Sequence, residues 1–167
     1  MFSAFSSELE TIWRKFETEV GGAPFQSYAW LSHWQNTVGY PLYSIRLQIV
    51  IVRTEKEPLA IFPLCIQEIF GVSVLKWLGG SHSDYMGPLL NKKWESMETD
   101  FQTCWQNILK NLALFDVIHF QKQKEYIGVL QNPFVQSMSC HTNQIANHAN
   151  LKKSWNEHYE RTVKSKL

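Results

Sequence analysis

Three apolar segments between residues 42 and 78 constrain the fold of this chain more than any other feature. The predicted strands span residues 42–53, 58–69 and 72–78. Alternate positions of the first are apolar, which is typical of a β-strand: Ile45, Leu47, Ile49 and Ile51. Short turns separate the segments, so the order predicts an antiparallel meander. Pro63 has no N–H to donate, and it predicts a bulge or a sheet edge within the second strand.

The segments around the meander follow helical spacing. Helices are predicted over residues 6–20, 27–38 and 91–112, and Gly39 and Pro41 are expected to end the second. A short strand at 115–120 follows the long helix, and this crossover implies parallel pairing somewhere in the sheet. Residues 121–133 are predicted as a loop with a helical turn at 126–130, and residues 134–145 as an edge strand. The fold class is therefore α/β, with a mixed, mostly antiparallel sheet flanked by helices.

Length and composition limit the classes of protein that remain. The chain has 167 residues, which suits one domain or one half of a two-domain protein. It is 44% hydrophobic, enough for a core, and its net charge of +1 gives no field that would favour nucleic acid. The cysteines have no metal-ligand spacing, so no metal site is predicted. No secretory signal or membrane span is visible, which predicts a cytoplasmic protein.

Candidate site residues cluster in the loop that follows the third strand, Gly79 to Leu89. Asp84 is a candidate general base or substrate-orienting carboxylate, and Tyr85 a candidate general acid or stacking surface. His82 and Ser83 are candidate substrate-binding residues. The alternative is that the segment is a structural turn, in which Asp84 caps the turn by accepting amide hydrogens. A triad of Ser83, His119 and Asp116 lacks the G-x-S-x-G elbow and is not predicted.

Five residue strings, in this order, are similar to one known family. They are Pro24-Phe25-Gln26-Ser27 with Trp30-Leu31 and Trp34; Leu59-Ala60-Ile61-Phe62-Pro63-Leu64; Trp77-Leu78-Gly79-Gly80 with Ser83-Asp84-Tyr85-Met86-Gly87-Pro88-Leu89; Phe115-Asp116-Val117-Ile118-His119-Phe120; and Trp155 and Tyr159 followed by Lys164-Ser165-Lys166. Together they resemble the CelD/BcsL-type proteins, acyltransferase-like proteins linked to cellulose and exopolysaccharide biosynthesis. That family is similar to the FemAB peptidyltransferases in having two tandem GNAT-like domains.

The resemblance implies a single GNAT-like domain over residues 1–150. Residues 151–167 would form a basic helix, with Lys152, Lys153, Arg161, Lys164 and Lys166, that leads into a missing second GNAT-like domain. Gln26 and Trp30 recur in the resemblance and are candidate substrate-binding residues at the start of the second helix. Core packing of Trp30 is the favoured alternative.

The function implied is that of the N-terminal, catalytically incomplete half of a CoA-dependent N- or O-acyltransferase. Acyl-CoA is the family co-substrate, but Gly79-Gly80 does not open a helix as a phosphate-binding loop does, so no cofactor is expected on this half. The expected partners are a second GNAT-like domain or subunit and a sugar or other small-molecule acceptor. The alternative is a non-catalytic scaffold that docks a separate acyltransferase domain, and the sequence leaves open whether the chain is an enzyme.

Overall fold

Five helices and seven strands occur in the residues that the computed structural model describes, namely 1–21, 23–96, 100–138 and 154. The helices are α1 (Ser7–Val20), α2 (Tyr28–Trp34), α3 (Tyr40–Tyr43), α4 (Phe101–Asn111) and α5 (Pro133–Ser137). The strands are β1 (Arg46–Arg53), β2 (Pro58–Ile69), β3 (Val72–Trp77), β4 (Leu89–Leu90), β5 (Val117–Ile118), β6 (Tyr126–Ile127) and β7 (Leu130–Gln131). None of the described helices is long and apolar enough to cross a membrane.

The predicted meander and the parallel pairing are both confirmed. Strands β1, β2 and β3 are antiparallel neighbours, β4 pairs with β2, and β5 lies parallel to β3. The parallel pair arises because the chain crosses through α4 between β3 and β5, as the crossover predicted. The domain is therefore α/β with a mixed, mostly antiparallel sheet.

Helices cover both faces of the sheet, which accounts for the apolar residues at both parities of β2. On one face, Ile61 and Cys65 pack with residues of α1 and α2. On the other, Phe62 and Leu64 pack with the aromatic and aliphatic side chains of α4 and α5. Burial on two sides favours a nearly continuous apolar strand over a simple alternation.

Pro63 lies in a central strand but at a local edge. Its partner Ile49 exchanges both backbone hydrogen bonds with Phe2, so this pair does not hydrogen-bond between β1 and β2. The nitrogen of Pro63 therefore faces the other side of β2, where pairing with β3 begins only at Leu64 and pairing with β4 ends at Ile61. The predicted edge is confirmed locally. The other alternative, a bulge, does not occur at Pro63, because the register irregularity of β1 and β2 lies at their turn end.

Helix α1 begins as predicted, but the second helix does not end where expected. The Ser6 side chain caps α1 by accepting from Leu9 N at 3.2 Å. After α2, the chain continues through a π-helical turn, Gln35–Gly39, directly into α3, which contains Pro41. The prediction that Gly39 and Pro41 end the helix is wrong, since the wider π turn accommodates the altered hydrogen bonding and Pro fits an early position of a helical turn.

The predicted helix over residues 91–112 is two elements. A 3₁₀ turn, Lys92–Ser96, comes first, and α4 then begins with Asp100 as its cap. The Asp100 carboxylate accepts from the amide and hydroxyl of Thr103, which lowers the pKa of that carboxyl. Asn91 caps only the 3₁₀ turn, by accepting from Lys93 N at 3.0 Å. Because Asp100 caps a new helix, the continuous apolar spacing over residues 91–112 does not produce a single helix.

Two predictions near the end of the described chain are also wrong. The hairpin of β6 and β7 replaces the helical turn expected at 126–130, and Gly128 adopts a positive φ of 63° in its turn. Residues 133–137 form α5, capped by Asn132, where an edge strand was expected. The rest of that predicted strand and the basic helix over 151–167 lie outside the described residues, apart from Met138 and Ser154.

Candidate functional site

The loop between β3 and β4 leaves the sheet through two glycines in succession. Gly79 has φ +115° and Gly80 has φ +56°, conformations that residues with a Cβ rarely adopt. A 3₁₀ turn, Gly80–His82, follows. A Cβ on Gly79 would lie 2.3 Å from the Ser83 Oγ atom, so the backbone approaches that side chain closely. The glycines therefore set the path of the loop.

Ser83 holds the loop against helix α2. It is fully buried, its Oγ accepts a hydrogen bond from Trp30 Nε1 at 3.0 Å, and it donates to the Gly79 carbonyl at 3.3 Å. A substrate would have to displace these contacts to reach the hydroxyl. The structure therefore gives Ser83 an anchoring position, although it was predicted to bind substrate.

His82 is fixed by the same helix while its ring stays exposed. Trp34 Nε1 donates to His82 Nδ1 at 3.2 Å. An indole N–H only donates, so Nδ1 must accept, and the hydrogen of the neutral ring is on Nε2. That second nitrogen is left as a donor at the surface.

Lys122 clamps the loop from the opposite side. Its Nζ donates to the carbonyl oxygens of Ser81, at 3.0 Å, and Ser83, at 2.7 Å. Its own carbonyl accepts from Met86 N at 3.0 Å. Sequence reasoning missed this residue, because its partners lie about 40 positions away and no local pattern marks a lysine that binds backbone carbonyls.

Asp84 and Tyr85 lie at the outer surface of the clamped loop. Asp84 is exposed and has no hydrogen-bond or ion-pair partner among the described residues, so the alternative that it caps the turn is wrong. Tyr85 is half-buried, and Lys124 Nζ lies 4.0 Å from the centroid of its ring. This cation–π contact was not predicted, and it restrains the ring of Tyr85.

Gln26 and Trp30 occupy different environments. Gln26 is buried, its side-chain Nε2 donates to the Gly87 carbonyl at 3.4 Å, and its backbone carbonyl accepts from Trp13 Nε1. Gln26 therefore ties the end of the loop to α1. Trp30 is 36% exposed, so the favoured prediction that it packs in the core is wrong. It contacts Phe25 edge-to-face and presents part of its ring next to the loop.

A cavity of about 290 Å³ opens beside the loop, and we call it the sheet-face cavity. Its floor is formed by β2 and β3, and its rim includes α3 and the segment after β5. The lining residues are Trp34, Tyr43, Ile45, Cys65, Gln67, Lys76, Trp77, Gly80, Ser81, Met86, His119, Gln121 and Lys122. Burial raises the pKa of the Cys65 thiol to about 12, so this floor residue stays protonated.

A larger cavity of about 1050 Å³ lies elsewhere, between the β1–β2 turn and α4. Its lining mixes acidic and basic side chains, and Lys93 is paired with Glu57 there. None of the predicted site residues lines either cavity, but Gly80, Ser81 and Met86 of the loop line the sheet-face cavity, and no residue of the loop lines the larger one. The candidate site is therefore the loop and the sheet-face cavity next to it.

The other candidate groups of catalytic or metal-binding side chains do not come together in the structure. Ser83 Oγ contacts Trp30 and Gly79, the Asp116 carboxylate accepts from Ser73 N, and His119 contacts Gln121, so the residues of the discounted triad serve separate contacts. Among the described residues no cluster of three metal-ligating side chains occurs. The chemistry that the site offers is an unpaired carboxylate, a phenol and a polar cavity.

Comparisons with known proteins add no family to these observations. No protein-family model, no curated protein and no solved structure matches this chain. The likeness to the CelD/BcsL-type proteins therefore stays a resemblance between residue strings, and the function it implies stays a prediction.

Proposed function

We propose that this chain is the acceptor-binding, catalytically incomplete half of a CoA-dependent acyltransferase-like protein linked to cellulose or exopolysaccharide biosynthesis. A second GNAT-like domain or subunit would bind the acyl-CoA. The resemblance of the residue strings suggests the reaction class. A mixed sheet flanked by helices is compatible with it.

The single observation that carries the proposal is the free carboxylate of Asp84 on a firmly held loop. Ser83 and Lys122 fix the backbone immediately before it, so the position of Asp84 is set without use of its own oxygens. Such a carboxylate can orient an acceptor hydroxyl or amine and accept its proton as the acceptor attacks a thioester. Tyr85, the next residue in the chain, supplies a ring surface and a phenol.

The same loop is poorly suited to bind the phosphates of acyl-CoA. A phosphate-binding loop directs several free backbone amides from a helix start toward the anion. Here the two glycines lead into a three-residue 3₁₀ turn, and the chain is extended again at Ser83. This supports placing acyl-CoA on the second domain or subunit.

Calorimetric titration of the full chain with acetyl-CoA and, separately, with a sugar acceptor tests this division of roles. We expect saturable heat with the acceptor, none with acetyl-CoA, and no thiol release from acetyl-CoA by the chain alone. Saturable binding of acetyl-CoA, or turnover by the chain alone, would contradict the proposal.

The exposed apolar residues on α3 favour a second candidate function, a scaffold that docks a separate acyltransferase domain. Tyr40 and Leu42 are more than two-thirds exposed there. In that case the chain would stimulate a separately produced GNAT-type domain, and Tyr40→Ser with Leu42→Ser would abolish the stimulation. Asp84→Asn would leave it unchanged, whereas the acceptor-binding role requires Asp84→Asn to impair it.

A further inference from the structure

The lining of the sheet-face cavity is cationic. It contains Lys76 and Lys122 but no aspartate or glutamate. The ion pairs of the described residues are Arg14 with Glu10 and Lys93 with Glu57, so neither cavity lysine has a carboxylate partner there. A concave surface with charge of one sign concentrates ligands of the opposite sign.

Lys76 supplies a half-buried charge from the floor of the cavity. It lies on β3, and its Nζ donates to Gln67 Oε1 at 2.8 Å. This contact uses one of three N–H donors and brings no negative charge. A partly desolvated ammonium without a counter-ion is unfavourable, and a bound anion would relieve this.

Lys122 supplies a second, positioned charge at the rim. Two of its three N–H donors bind the carbonyls of Ser81 and Ser83, which fixes the ammonium and leaves one donor available. Because the carbonyls are neutral, most of the positive charge remains uncompensated.

One neutral donor lies in the same lining. As the Gln121 amide is placed, its Nε2 donates to His119 Nε2 at 3.0 Å, so the hydrogen of the neutral imidazole is on Nδ1. His119 therefore adds a neutral N–H to the charged donors of the two lysines.

Size and aromatic content limit the rest of the ligand. A volume of about 290 Å³ is at the lower end of small-molecule sites, which begin at about 300 Å³. This suits a single sugar ring but not a whole CoA molecule. Tyr43, 45% exposed at the rim, offers a ring surface against which the C–H face of a sugar can pack.

We infer that the sheet-face cavity binds a monosaccharide unit that carries a carboxylate or phosphate group, with the anion held by Lys76 and Lys122. The inference rests on the proposed function only in taking this anionic sugar to be the acceptor. Two classes of ligand, uronic acids and sugar phosphates, have this combination of an anionic oxygen group and a polyhydroxylated ring.

Titration of the full chain with glucuronate, glucose 6-phosphate and glucose at constant ionic strength tests the inference, with tryptophan fluorescence or calorimetry as the readout. We expect one or both anionic sugars to bind at least about tenfold more tightly than glucose, because glucose lacks the anion that would form charged hydrogen bonds with the lysines. The ratio between glucuronate and glucose 6-phosphate identifies the class of ligand. Inorganic phosphate alone is expected to compete weakly.

Lys76→Met and Lys110→Met form a matched pair, because each removes one positive charge and Lys110 is an exposed residue of α4 outside the cavity. We expect about a tenfold loss of affinity for the anionic sugar in Lys76→Met, partial recovery in Lys76→Arg and no change in Lys110→Met. Circular dichroism and thermal melting confirm that each variant is folded.

Equal binding of glucose and the anionic sugars would overturn this inference and leave the proposed acceptor role standing. Equal loss in Lys76→Met and Lys110→Met would show only non-specific attraction and would also overturn it. Failure of all three sugars to bind contradicts both this inference and sugar binding at the cavity. Selective binding of the anionic sugar together with saturable binding of acetyl-CoA would instead support the inference and contradict the proposed division of roles.

Discussion

Two adjoining parts of the loop between β3 and β4 use their polar groups in opposite ways. In residues 79–83, the hydroxyl and carbonyl groups contact α2 and Lys122, and Ser83 is fully buried. In the next two residues, Asp84 is exposed and has no partner among the described residues, and the half-buried ring of Tyr85 lies under Lys124 Nζ. Neighbouring polar residues of a candidate site therefore differ in role: the first part fixes the backbone, and the second presents side chains. Substitutions should separate the two, with large effects on stability in the first and small ones in the second.

The largest loss of stability is expected for Gly79→Ala. The φ of +115° is unfavourable for alanine, and the new Cβ would meet the Ser83 Oγ at 2.3 Å. We expect the free energy of unfolding to fall by about 2–4 kcal/mol, measured by urea denaturation. Gly71→Ala is the control, because Gly71 has φ +79° but no atom within 4 Å of the added Cβ, and about 1 kcal/mol is expected. Equal losses would mean that the contact with Ser83 does not matter.

Ser83→Ala is expected to cost less, about 1–2 kcal/mol, because it removes the acceptor for Trp30 Nε1 and the bond to the Gly79 carbonyl. Ser81→Ala is the matched control at an exposed position of the same loop, where a change within about 0.5 kcal/mol is expected. A double-mutant cycle with Trp30→Phe sharpens the test. If the two substitutions were additive, the anchoring bond would carry no energy.

Lys122→Met should reduce stability by about 1 kcal/mol, since it removes two hydrogen bonds to backbone carbonyls at the surface. The more direct measurement is hydrogen exchange of the Met86 amide, which donates to the Lys122 carbonyl and should lose protection as the loop loosens. Lys124→Met removes only the contact with the Tyr85 ring, and about 0.5 kcal/mol with unchanged protection of Met86 is expected. Loss of that protection in both variants would contradict a specific clamp at Lys122.

The sequence predicted the position of this loop but not the division within it. Strand β2 has the bounds that its alternating pattern predicted, and the glycines mark the loop because few other residues adopt their conformations. Periodicity and turn preferences are local properties, so they detect such features. The contacts of Ser83 with Trp30 and Lys122 span 53 and 39 residues, and no local pattern encodes them.

The errors in the helices have the same origin. Gly39 was expected to end a helix, but it permits close packing, since a Cβ there would lie 2.7 Å from the Trp34 ring. Asp100 was passed over as a cap, because the apolar spacing on both sides of it suggested one continuous helix. Tertiary contacts and competing caps decide such cases, and a preference read from one residue at a time does not include them.

The smallest change in stability is expected for Asp84→Ala, because the carboxylate has no partner among the described residues to lose. A change within about 0.5 kcal/mol is expected, against about 1 kcal/mol for Asp116→Ala, whose carboxylate accepts from Ser73 N at 2.8 Å. The effects on activity should be the reverse of those on stability. In a reconstituted assay with a second GNAT-like domain, we expect Asp84→Ala to reduce acyl transfer by about a hundredfold and Asp116→Ala to leave it near normal. A destabilised Asp84→Ala would assign the residue to the anchoring part of the loop. A stable variant with normal transfer would remove Asp84 from the chemistry and leave the loop as a structural turn.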